Sequence, residues 1–130
     1  MANPNIVAVA NIQGESLGFN LAANVTTTLF TVKDEVVLKV NRIQCANVDG
    51  TNAANLDLLV TKTNFTPDGV DNFDTSGSFY LAKTISIPAD ATLVVLDTPI
   101  YLMEGDILKG GTAATGDLDL IVSYEVINDA

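Results

Sequence analysis

At 130 residues the chain is long enough for one domain, 1–130, and a second core would leave each half marginal. Sixteen acidic residues against six basic ones give a net charge of −10, which repels phosphate backbones and anionic lipid and so excludes nucleic acid and membrane surfaces as direct partners. With 48% hydrophobic residues, 17% charged residues and no tryptophan, the composition is globular but more apolar than a free monomer of this size needs, which predicts burial of part of its surface between subunits.

The opening MANPNIVAVANIQGE has no basic leader and places Pro4 and asparagines within its apolar stretch, so neither a secretory signal nor a spanning helix is expected, and synthesis is expected in the cytoplasm. From Asn5 to Ile12 the pattern is a strand with both faces covered, Ile6, Ala8, Ala10 and Ile12 on one and Val7 and Val9 on the other. Asn24 to Val32, NVTTTLFTV, is rich in β-branched residues that suit a pleated surface. Glu35 to Asn47 is the longest strand candidate. Val36, Leu38 and Val40 share a parity that passes to Ile43 and Cys45, which requires a bulge near Asn41 and Arg42.

Asn47 to Asn55 reads as a loop in which Asp49-Gly50 supplies left-handed turn geometry. Leu56, Leu58 and Val60 line the next strand, and a long polar loop follows at 64–78. Phe79, Leu81, Ile85 and Ile87 share one parity, Leu93 and Val95 form a second short run, and Pro88 and Pro99 end each run by removing a backbone donor. The final strand, Leu118 to Ile127, alternates Leu118, Leu120, Val122, Tyr124 and Val126 with polar residues, the mark of a sheet with one solvated face. Short strands with turn signals between them, and no helical period, predict an all-β fold: a single antiparallel β-sandwich, jelly-roll or immunoglobulin-like.

Chemistry is sparse. With no histidine the chain can build no Ser-His or Cys-His pair and lacks the commonest ligand for transition metals, so no enzyme is expected, no catalytic residue is assigned, and no cofactor or metal site is assigned. The single Cys45 reads as a small buried hydrophobe. Asp68, Asp71, Asn72 and Asp74 offer oxygen donors in the long loop, but the regular calcium-loop spacing and its bidentate Glu are missing, and a solvated turn-rich loop is the simpler reading. Asn52, Asp97, Asp106, Asp117 and Asp119 lie at or near predicted turns, where they are expected to satisfy local backbone donors rather than serve as ligands. Phe65 and Phe73, two rings in a polar stretch, either pin that loop or serve as partner contacts. Phe79, Tyr80, Tyr101 and Tyr124 are read as loop anchors and core.

The segments NVDGTNAANLDLLV, LAKTISIPADATLVVLDTPIYLMEGDIL and LDLIVSYEVI, in that order, resemble a family of small virion structural proteins of tailed phages, especially phages of cyanobacteria and other marine bacteria. The pieces that carry the resemblance are the Asn47–Thr51 loop, the Ile87–Asp90 corner, the run from Tyr101 to Asp106, and Ser123-Tyr124-Glu125. The resemblance implies a capsid decoration or cement protein on the outer surface of the head, with the major capsid protein and its own copies, as a trimer, for partners. A neck, tail or fibre-base component is the alternative within that class, and a carbohydrate-binding module is the alternative outside it.

Overall fold

The computed structural model describes residues 11–63, 76–112 and 117–128. Nine strands follow one another: β1 (Asn11–Asn20), β2 (Thr28–Thr31), β3 (Val36–Asn47), β4 (Ala54–Lys62), β5 (Gly77–Ile87), β6 (Thr92–Leu96), β7 (Ile100–Leu102), β8 (Ile107–Thr112) and β9 (Leu118–Asn128). No helix occurs among the described residues.

The strands form two antiparallel sheets. One runs β1-β9-β3-β6, with β7 also paired to β3, and the other runs β2-β8-β4-β5. The partners β1·β9, β2·β8, β3·β6/β7 and β4·β5 are what a single long antiparallel ribbon gives when it is rolled up. This is the jelly-roll order, and it decides between the two sandwiches that the sequence allows. β6 and β7 share one position because Asp97 to Pro99 interrupts the strand.

The core is the set of residues with inward parity. Val40, Ile43, Cys45, Leu118, Leu120 and Val122 of the first sheet meet Leu56, Leu58, Ile87 and Leu108 of the second, all essentially inaccessible to water. Burying each large aliphatic chain contributes roughly 1.5–3 kcal/mol. On the β1/β2 side, Phe30 bridges the layers, its ring centroid 6.3 Å from Phe19 and 6.4 Å from Tyr124.

The phase slip in β3 is a bulge at the expected place. Val40 pairs with Tyr124 and Arg42 with Ser123, so Asn41 is the extra residue that turns Ile43 and Cys45 inward. Other expectations need correction. Strand β2 is only four residues long, because the Asn24 carboxamide oxygen accepts from the Thr26 amide at 3.0 Å and from its hydroxyl at 2.8 Å, making a turn of what propensity alone calls strand. The Asp49-Gly50 loop does not use left-handed geometry. Positive φ falls instead at Glu35, Thr84, Asp90, Gly77 and Gly105, and the Asp49 carboxylate holds the loop by accepting from the Thr51 and Asn52 amides. Of the loop expected at 64–78, Gly77 and Ser78 already belong to β5.

In β5 the expected parity breaks. Register shifts opposite Leu56–Leu58 and Leu58–Leu59 turn Ala82 inward and leave Phe79 and Ile85 exposed. Thr84, at φ 51°, sits in the first of these irregularities, its amide donating to Asp57 Oδ1 at 3.0 Å.

Candidate interaction surface

Two corners hold the sheets together, and both are built from turn segments. At one, the buried Asn47 side chain donates to Ile87 O at 2.9 Å and Asn52 O at 3.0 Å, while its oxygen accepts from the Asp49 amide at 2.9 Å. Backbone bonds from Asn47 N to Ala91 O and from Asp90 N to Asp49 O complete the joint. Hydrogen bonds from the Thr51 and Asn52 amides hold the exposed Asp49 carboxyl below its usual range.

At the other corner, Gly105 N donates to Val32 O and Val32 N to Asp106 O. Asp106 and Glu104 are both buried. Asp106 Oδ2 accepts from Lys62 Nζ and from the Met103 amide, and Glu104 Oε2 accepts from the Glu35 amide at 2.8 Å. The Asp106 expectation of local backbone bonding is met, and the ion pair with Lys62 is an addition that sequence spacing could not reveal. Glu104 Oε1 and Asp106 Oδ1 have no partner among the described residues, and no group of three or more metal-ligating side chains occurs among them.

Cys45 is buried, and burial, reinforced by the Asp119 carboxylate, pushes its thiol up to about 12. It is core, as its sequence context indicates. Of the rings expected in the core or at loop anchors, only Tyr124 is buried; Phe79, Tyr80 and Tyr101 are exposed. Tyr80 lies outside the second sheet opposite the buried Leu59, with Lys83 Nζ 5.2 Å from its ring centroid, and Tyr101 lies outside the first sheet beside Lys39. Phe65, Phe73, Asp68, Asp71, Asn72 and Asp74 lie outside the described residues.

The sheet edges are the surfaces with capacity to bind another chain, because each presents a row of backbone donors and acceptors with no neighbouring strand among the described residues. Three are blunted. β2 is four residues long, β6/β7 is broken by Asp97 to Pro99, and β5 has two register shifts and an exposed Lys83. β1 is different: its ten residues, NIQGESLGFN, pair with β9 in unbroken register and contain no proline, no lysine and no bulge.

Both faces of β1 from Ile12 to Gly18 are exposed, because the facing edge β2 is too short to cover it. Ile12 is 60% exposed. Under the overhang lies a cleft of about 380 Å³ lined by Leu17, Phe30, Val36, Leu38, Tyr124 and Val126, with Glu15 and Lys33 also at its wall. Of the strand expected at Asn5 to Ile12, only Asn11 and Ile12 fall among the described residues, and both belong to β1; its course from Gln13 to Asn20 escaped the sequence pattern, because Gly14, Glu15 and Gly18 interrupt any apolar alternation.

No protein family's sequence profile matches the chain, and no curated protein matches it. Among solved structures it is similar to infectious bursal disease virus VP2, in the crystal structure of the subviral particle, with a TM-score of 0.41 and 12% identity over 93% of this chain and 34% of that one.

Proposed function

We propose that this chain is a virion structural protein of a tailed phage, a decoration or cement subunit on the outside of the head that bridges copies of the major capsid protein without catalysis or cofactor. One observation carries the reading. The segments through which the sequence resembles phage virion proteins are, in the fold, the corners that hold the two sheets together: the Asn47–Thr51 loop bonds to the Ile87–Asp90 corner, and the run ending at Asp106 supplies the carboxylate that meets Lys62. Segments far apart in sequence thus specify one scaffold, which is what a resemblance between scaffolds requires.

The charge of −10 supports an exterior position, since encapsidated DNA would repel it. Contacts repeated over many copies gain strength through effective concentration, so weak apolar and backbone contacts suffice. The carbohydrate-binding alternative is disfavoured by the exposed rings among the described residues, because Tyr80 and Tyr101 lie on different sheets and Phe79, next to Tyr80 in β5, points to the opposite face, so the three form no common platform for a sugar.

Cryo-electron microscopy of intact particles tests the assignment, with density for this fold expected on the head exterior in numbers comparable with the capsid subunit. Heads stripped of the protein should release their contents at a lower temperature than complete heads, because a bound partner stabilises the assembled state alone. Density confined to the tail, or equal heat stability of stripped and complete heads, overturns the cement role.

A further inference from the structure

We propose that Lys62 and Asp106 condense to an amide, Nζ to Cγ, so that the folded chain staples itself covalently between the end of β4 and the start of β8. The inference does not depend on the head-binding reading. Its first ground is distance. Lys62 Nζ is 2.5 Å from Asp106 Oδ2, closer than the about 2.7–2.9 Å usual for an ammonium on a carboxylate. The carboxyl carbon is one C–O bond of about 1.2 Å from Oδ2, so the amine nitrogen is at most about 3.7 Å from that carbon, at the edge of the about 3–3.5 Å range of a near-attack pair. The sheet imposes the approach. Thr61 pairs with Ile107, so Lys62 and Asp106 are the next opposed positions along the same antiparallel ladder.

The second ground is how the carboxyl is held. The Met103 amide donates to Oδ2 at 2.9 Å and is in place to stabilise charge on that oxygen as the carbon becomes tetrahedral. Oδ1 has no partner among the described residues, so nothing ties down the oxygen that must leave. The Asp106 side chain is 1% exposed, which keeps the water needed for reversal away from the bond. Joining a free amine and a free acid in water is uphill; holding the two groups in contact offsets that cost through effective concentration.

The step balances without an oxidant, a reductant or a co-reactant. One proton crosses the existing hydrogen bond from Nζ to the carboxylate, leaving a neutral amine and a neutral acid. Nζ bonds Cγ and the carbonyl π pair moves onto Oδ2. A second proton passes from nitrogen to Oδ1, carried by solvent at the lysine side, which is 22% exposed. The Cγ–Oδ1 bond then breaks, water leaves with that electron pair, and the carbonyl reforms at Oδ2. Ammonium and carboxylate become amide and water. The newly folded chain holds the ion pair, and the amide accumulates from it with time. Residues 62 to 106 are then a closed ring, which restricts the unfolded chain as a disulfide would, and the single cysteine of this chain can form no internal disulfide.

The test uses the full chain, fresh and aged, by intact-protein mass spectrometry under denaturing conditions. Aged protein should be one water below the mass its sequence gives, with the same yield at low and high protein concentration because both partners belong to one chain. Proteolysis should release a branched peptide joining Lys62 to Asp106. An aspartyl succinimide also loses one water but stays within one linear peptide, so the branched fragment separates the two. Lys62→Arg keeps the cation and its pairing with the carboxylate but lacks the amine, so it should stay at full mass and unfold at a lower urea concentration than the aged parent. Should Lys62→Arg fail to fold, the branched peptide of the parent still decides. A parent that keeps its full mass on ageing, a water loss confined to a linear peptide, or a branch at another pair of residues overturns the proposal.

Discussion

Asn47 Nδ2 donates to Ile87 O at 2.9 Å, tying the last residue of β3 in one sheet to the last residue of β5 in the other. Its second donor contact, to Asn52 O, and its acceptor contact, from the Asp49 amide, leave the buried carboxamide satisfied on both sides. Asn47→Ala removes all three bonds and strands the Ile87 carbonyl in the interior. A loss of about 2–3 kcal/mol is expected in urea unfolding, with little change in the slope of the transition.

Lys62 and Asp106 form a pair in which the carboxylate side chain is 1% exposed and the ammonium side 22%. Lys62→Met removes the cation and leaves a buried charge, at an expected cost of about 3 kcal/mol. Adding Asp106→Asn to that variant removes the uncompensated charge and should recover most of the loss. A double variant no more stable than Lys62→Met would show that the pair is not the source of the effect.

Gly111 of β8 lies against the β1–β2 connection, where an added Cβ would meet Asn24 O at 2.4 Å and Ala22 O at 2.8 Å. Both obstacles are backbone, and the neighbouring bond from Thr112 N to Ala22 O holds them in place. Gly111→Ala should cost about 1–3 kcal/mol. At Gly14 an added Cβ meets nothing within 4 Å, so Gly14→Ala should stay within about 0.5 kcal/mol of the parent by the same thermal or urea measurement.

Cys45, with its thiol raised to about 12, carries almost no thiolate near neutrality. Alkylation of the native protein at pH 8 should proceed only as fast as the fold opens, and become rapid in urea. Native labelling at the rate of a free thiol would place Cys45 at the surface.

The Asp49 carboxyl is lowered by the Thr51 and Asn52 amide hydrogen bonds, so the folded form favours the ionised state. Its stabilising contribution is present above the ordinary carboxyl range and is lost as pH falls through the folded value, below the reference of 3.8. An Asp49→Asn variant should therefore show a shallower loss of melting temperature on acidification below pH 4 than the parent.

Sequence alone determined the all-β class, the inward residues Leu56, Leu58 and Val60 of β4, the course of β9 from Leu118 to Ile127, the Asn41 bulge, the stops at Pro88 and Pro99, and the burial of Cys45. Those features are legible because period-two alternation is written wherever one face of a strand is core and the other is wet, and a phase slip in that pattern has one local remedy. Only the tertiary structure decided the jelly-roll order, since the pairing of β1 with β9 joins residues as far apart as Asn11 and Asn128 and no local signal records it. It also decided the extent of β1, whose exposure on both faces removes the alternation a reader would look for. The irregularities of β5 were hidden for a related reason: side-chain pattern reports parity, while register shifts are set by the partner strand. Lys62 and Asp106 were each visible in the sequence. That they meet depended on the adjacent positions of β4 and β8, which packing fixes.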